Sequence, residues 1–207
     1  MAISAQDKIL YVANKLGLTT LGQMQGSTGA VYDADNEGVG QIFSSCSQHL
    51  NPMSTNLSDN KFEVNEALLI EQVTFYAHSD SLTPNPATSN FQTFGLNTNV
   101  VFDLMIGNKV VLKDVVIYGA GGPSTFASSA IGQASVGPPP DPSVQIVRHQ
   151  IFFEGAGILI PPQVEFSINY KRYNVVTGAP IDLAAGGVKA GACLFGTRVL
   201  LNFNTSI

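Results

Sequence analysis

Between residues 164 and 171 the chain reads Val-Glu-Phe-Ser-Ile-Asn-Tyr-Lys, an unbroken alternation of apolar and polar side chains. Successive side chains of a strand point to opposite faces of a sheet, so this spacing predicts a strand with one buried and one wet face, as in an antiparallel sheet. The same period recurs elsewhere. Phe62, Val64 and the denser stretch 68–76 carry the β-branched and aromatic residues that suit a pleated surface. Stretches 100–106 and 109–118 flank Gly107-Asn108, a two-residue hairpin signature. Stretches 144–153, 158–160 and 192–203 follow, giving seven or eight strands joined by Gly- and Pro-rich connections. That pattern predicts an all-β antiparallel sandwich or barrel.

Helical spacing is convincing once. Ile9, Val12, Ala13 and Leu16 fall on one helix face, Ser4 stands where a cap belongs with Asp7 three residues on, and Gly17 offers a stop. A helix over 5–16 is the expectation. From 17 to 60 the chain turns to Gly, Ser, Thr, Gln and Asn with scattered apolar residues, which reads as a loop-rich arm with one short strand. The chain therefore divides into a helix and extended arm, 1–60, and a β-sandwich domain, 61–207. Residues 119–143 hold Gly119-Ala120-Gly121-Gly122-Pro123 and Gly137-Pro138-Pro139-Pro140-Asp141-Pro142 without periodicity, a long connection of the kind that carries function.

Charge is scarce. Asp, Glu, Lys and Arg make up 12% of the 207 residues, against about a quarter in an average soluble protein. Ser 17, Thr 13, Asn 15 and Gln 11 outnumber them more than two to one, so much of the surface is polar yet uncharged. The net charge of −5 excludes a chain that coats nucleic acid by neutralising phosphates, and Lys171-Arg172 is its one basic doublet. The apolar runs fall far below the ~20 residues that span a bilayer. The start, Met1-Ala2-Ile3-Ser4, lacks the basic leader and apolar stretch of a secretory signal, so synthesis in a cytoplasm and reduced Cys46 and Cys193 are expected. On that reading the glycan-acceptor patterns at Asn56-Leu57-Ser58 and Asn204-Thr205-Ser206 carry no weight.

Each chemical motif has a simpler structural explanation. Asp33-Ala34-Asp35-Asn36-Glu37-Gly38 begins like a calcium loop, with oxygen ligands on alternate residues. Its twelfth position is Ser44 rather than Glu, so an acidic turn is preferred and calcium binding by Asp33, Asp35 and Glu37 stays open. Gly119–Pro123 follows a strand, as a phosphate-binding loop would, but a Pro/Ser/Ala tract rather than a helix comes next. Cys46 and His49 form a single Cys-x-x-His pair, half of what a structural zinc site wants; His78, His149 and Cys193 are the other nitrogen and sulfur candidates. No serine sits in a Gly-x-Ser-x-Gly elbow, and Glu154 with Glu165 is one of many possible carboxylate pairs. No catalytic, cofactor-binding or metal residue is assigned.

The arrangement resembles the single jelly-roll coat proteins of tailless bacteriophages and related icosahedral viruses. The resemblance lies in the helix and polar arm over 2–60, the β sequence from 61 to 207, the strand entered through Gly157-Ile158-Leu159-Ile160-Pro161-Pro162, and the closing Gly196-Thr197-Arg198-Val199-Leu200-Leu201-Asn202-Phe203. It implies an antiparallel jelly-roll sandwich of about eight strands, and copies that assemble with one another and with other virion proteins into an icosahedral shell. It further implies a virion protein made in a host cytoplasm, with no enzymatic activity, cofactor or small-molecule substrate; the absence of any run of basic residues excludes a nucleic-acid packaging arm.

Low charge points the same way on physical grounds, because interfaces are depleted in Lys and Glu, whose burial costs desolvation and side-chain entropy. The arm is expected to exchange between neighbours, so that deleting 2–17 reduces assembly while the β domain stays folded. Two other classes compete. A receptor- or carbohydrate-binding spike module would use Asp80, Asn90, Phe91 and Phe94 on a connection, and a small β-sandwich hydrolase is disfavoured by the shortage of histidine.

Overall fold

The computed structural model describes residues 4–18, 24–35, 39–44, 46, 55–79, 98–117, 149–153, 155, 157–174, 177–180 and 188–201. Helix α1 (Ala5–Leu16) has the boundaries its sequence predicts. The Ser4 hydroxyl accepts from the Asp7 amide at 3.2 Å and donates to the Asp7 carboxylate at 2.6 Å, satisfying one of the orphan donors of the first turn. Gly17 ends it in the left-handed conformation at φ 69°, and the Leu18 amide closes the last turn on the Ala13 carbonyl at 2.9 Å.

The strands are β1 (Gln25–Ala34), β2 (Gln41–Ile42), β3 (Glu66–Ser79), β4 (Thr98–Ile106), β5 (Lys109–Ile117), β6 (His149–Phe152), β7 (Ile158–Ile160), β8 (Phe166–Asn174) and β9 (Val188–Leu200). One sheet runs β1-β9-β3-β6, with β7 also beside β3; the other runs β2-β8-β4-β5. Every pairing is antiparallel. Since β6 and β7 lie end to end along β3, they are two halves of one interrupted edge strand. The chain crosses between the sheets at every connection except the β4–β5 hairpin and the β6–β7 break, the double Greek-key order of a jelly roll, so the protein is an all-β jelly-roll sandwich with a short amino-terminal helix.

The sandwich begins earlier than the sequence suggests. Residues read as arm supply β1 and β2, one strand to each sheet, so the division at residue 60 does not separate arm from sandwich. The reason is positional. The first half of β1, Gln-Gly-Ser-Thr-Gly, lies at an edge beyond the core and shows no apolar alternation. Its glycines answer to close neighbours: a Cβ on Gly26 would meet Ile9 of α1 at 2.9 Å, and one on Gly29 would meet the Arg198 Cβ at 2.8 Å.

The core fills the space between the sheets. β8 turns Phe166, Ile168 and Tyr170 inward as its alternation predicts, and they meet Leu68, Ile70, Val73, Phe75 and Leu194 from the other sheet. Phe75 and Phe102 cross the gap with ring centroids 4.8 Å apart, and Phe43 and Phe62 flank Phe166 at 5.3 and 5.4 Å. A second apolar cluster lies outside the first sheet, where α1 lays Val12, with Tyr11 and Leu16, on Ala67, Leu69, Val199 and Leu201.

A bulge fixes that docking. The β3–β9 register shifts between Ile70 and Gln72, leaving Glu71 unpaired. Gly196 faces this bulge at a distance no side chain permits, since a Cβ there would lie 1.8 Å from the Leu69 carbonyl oxygen. The freed Glu71 carboxylate accepts from Lys8 Nζ of α1 and from Thr197 Oγ1, both at 2.7 Å.

Candidate functional site

Phe43, Phe75, Phe102 and Phe166 are all less than 2% exposed where the sheets face each other and pack the space between them. A cleft of about 250 Å³ opens at one end, between β1 and the 56–63 segment, with Gly29, Asn56, Asp59, Lys61, Glu66 and Arg198 in its wall. Its charges are mutually engaged, Arg198 Nε donating to Glu66 Oε1 and Lys61 reaching Asp59 at 3.6 Å. That is a salt-bridged rim.

Asp33 and Asp35 are 3% and 2% exposed and fasten the corner where the chain passes from β1 to β2. Asp33 Oδ2 accepts from the Phe43 amide at 2.6 Å. Asp35 accepts from the amides of Val39 and Gly40 at 3.1 and 2.7 Å, and from the Tyr170 hydroxyl of β8 at 2.9 Å. Burial pushes the Asp33 carboxyl up from 3.8, helped by the neighbouring Asp35 charge and opposed by hydrogen bonds from Phe43, Thr55 and Ala34. These carboxylates therefore stitch the two sheets together, while Glu37 lies outside the described residues. Among the described residues no three His, Cys, Asp or Glu side chains converge as a metal site would require.

Burial raises the Cys46 thiol to about 12, with the Asp33 charge adding to the effect, and raises Cys193 to about 11. Both are free cysteines, held as thiols rather than nucleophilic thiolates. The backbones of His78 and His149 lie on β3 and β6. His49, the Gly119–Pro123 loop, Glu154, the connection bearing Asp80, Asn90, Phe91 and Phe94, and Asn204 fall outside the described residues, and Glu165 is exposed just before β8. The Lys171-Arg172 doublet splits across its strand, Lys171 facing out and Arg172 8% exposed, so it forms no basic patch. Burial lowers the Arg172 guanidinium from its ordinary value.

The surfaces remain. Outside the first sheet, beyond the reach of α1, a flat face is built from Ala30 and Tyr32 of β1, Cys193 and Phe195 of β9, and Gln72 and Thr74 of β3. None of the six is charged, and Phe195 is 38% exposed near the middle. The sheet edges are unequal. β2 is two residues long. β5 carries Lys109, Lys113 and Asp114, the last at φ 51° where the ladder is irregular. The β6–β7 edge is interrupted between 152 and 158. On β1, Asn56 acts as a short surrogate strand: its Oδ1 accepts from the Tyr32 amide at 2.8 Å and its own amide donates to the Tyr32 carbonyl at 3.2 Å. Its Nδ2 donates to the Ala30 carbonyl at 2.9 Å.

Sequence reasoning missed Asn56, Glu71 and Gly196, whose roles depend on neighbours distant in sequence; an isolated Gly within the strand pattern at 196 is the one local hint. Comparison with family models, curated proteins and solved structures finds no match for this chain.

Proposed function

We propose that the protein is a structural virion subunit that assembles with its own copies, and with other virion proteins, into an icosahedral shell. The observation that carries this reading is the uncharged outer face of Ala30, Tyr32, Gln72, Thr74, Cys193 and Phe195. Charged groups are expensive to desolvate and are depleted from interface cores, where aromatic residues are enriched. A face centred on an exposed Phe and free of charge suits burial against another protein. The jelly-roll order is compatible with this role and also with sugar-binding and metal-dependent proteins, so fold alone does not decide.

The test is assembly of the purified chain, followed by size-exclusion chromatography and electron microscopy over a concentration series. Closed particles of uniform size are the expected result. A chain that stays monomeric at millimolar concentration overturns the proposal, and one that forms a discrete trimer binding glycans on an array replaces it with a carbohydrate-binding spike module.

A further inference from the structure

An antiparallel ladder directs both backbone groups of alternate residues to the same neighbour. On β1 the Tyr32 amide and carbonyl and the Ala30 carbonyl face Asn56 and so point away from β9. By the same alternation Thr28, Gly26 and the Ala30 amide point outward, and these groups find no hydrogen-bond partner among the described residues. Gln25, Ser27, Thr28 and Ala30 are exposed.

Natural sheets guard such edges with charge, brevity, bulges or a covering segment. Here β2 is short, β5 is charged and irregular, and the β6–β7 edge is interrupted. Among the described residues Gln25–Ala30 has none of these devices, although Asn56 covers the residues directly after it. An edge left open while the others are blunted reads as a docking site for an extended strand.

We propose that this edge pairs antiparallel with the same edge of a second copy, about a two-fold axis at Thr28, merging two sheets into one. The geometry favours self-pairing over a foreign strand. Asn56 bounds the open stretch at Ala30 and the start of β1 bounds it at Gln25, so the usable edge is Gly26–Ala30, and its midpoint is Thr28. An isologous contact places each residue opposite its mirror in the stretch: Thr28 against Thr28, Gly26 against Ala30. Each of these pairs exchanges two backbone hydrogen bonds, the Ala30 carbonyl using its second lone pair. A charge at position 28 would face its own copy across the axis, and like charges directly opposite are destabilising. There is none from Gln25 to Ala30. Thr–Thr is among the favourable cross-strand pairs. The pairing names one contact within the proposed self-assembly and rests on that reading for its partner.

The experiment follows the wild-type chain by amide hydrogen exchange as concentration rises, alongside Thr28→Cys and Thr28→Lys made in a Cys46→Ala, Cys193→Ala background. The Gly26, Thr28 and Ala30 amides are expected to gain protection together. Thr28→Cys is expected to form a disulfide-linked dimer under mild oxidation, since paired residues lie ~5.5 Å apart at Cα, within disulfide reach. A Val111→Cys control on the β5 edge stays monomeric. Thr28→Lys weakens self-association at least about tenfold, with the circular dichroism of the monomer unchanged. Uniform particles with labile 26–30 amides and no Thr28→Cys dimer overturn the edge pairing and leave the coat reading standing. A protected, cross-linkable edge without particles sustains the pairing and overturns the coat reading. Neither particles nor protection overturns both.

Discussion

Asp33 shows how a single buried carboxyl ties stability to pH. Its folded-state value lies above the ordinary 3.8, chiefly because burial penalises the charge, so the native state holds its proton more tightly than the unfolded chain does. Stability from this group is therefore fully present below 3.8 and is lost as pH rises through the raised folded value. Against an Asp33→Asn variant, which keeps an acceptor for the Phe43 amide, the wild-type chain is expected to lose ground between pH 4 and pH 7. Urea unfolding at both pH values measures the gap, and a gap independent of pH contradicts the assignment. This residue also marks what the sequence hides. The acidic turn at 33–38 is visible at once, but the Tyr170 hydroxyl that donates to Asp35 is 135 positions away. Local pattern places Tyr170 on the inward face of its strand and says nothing of its partner.

Among the elements, those built from local rules were the most legible. The Ser4 cap and Gly17 stop delimit α1, the Gly107-Asn108 pair joins β4 to β5, and alternation defines β8. Elements defined by their neighbours were not. β1 is polar because it occupies an edge, and the β3 bulge is invisible until Gly196 and Lys8 are seen beside it. The helix consequently has a different standing from the exchangeable arm its sequence suggests: it covers Ala67, Leu69, Val199 and Leu201, so removing 2–17 uncovers apolar surface on the sandwich.

Its polar anchor is pH-sensitive in the opposite sense to Asp33. Burial raises the Glu71 carboxyl, but hydrogen bonds from Lys8 and Thr197 and the Lys8 charge outweigh it and hold the group below its ordinary 4.5. Stability from this anchor is present above 4.5 and is lost as pH falls through the lowered folded value. In a Glu71→Gln variant, amide exchange over 5–16 is expected to run about two- to fivefold faster at neutral pH, as loss of a partly exposed ion pair predicts. The difference from wild type should shrink in acid. Equal exchange at pH 7 removes Lys8–Glu71 from the docking of α1.

For the whole molecule, the packed interior and the uncharged face outside the first sheet divide folding from association. Phe195 belongs to the exterior, with a neighbour from β1 on one side and from β3 on the other. Phe195→Glu is expected to abolish particle formation while shifting unfolding stability by no more than about 0.5 kcal/mol, the usual range for a surface change. Electron microscopy and thermal unfolding of one preparation read both, and particles that persist displace this face from the assembly. The jelly-roll order was anticipated by resemblance rather than by strand pattern, because alternation finds strands but cannot tell which will be neighbours. β9 sits between β1 and β3 through pairings that span more than a hundred residues.

The same order sorts the connections by pole. β1–β2, β3–β4, β5–β6 and β8–β9 are joined at one end of the sandwich, and β2–β3, β4–β5 and β7–β8 at the other. At the first end the described stretches are tied in, Val39 and Gly40 to Asp35, the Gly40 carbonyl to the Tyr170 amide and Pro180 to Tyr173. A foreign epitope grafted for display at that end has to leave 35–40 and 177–180 intact, or it loosens the end of β8.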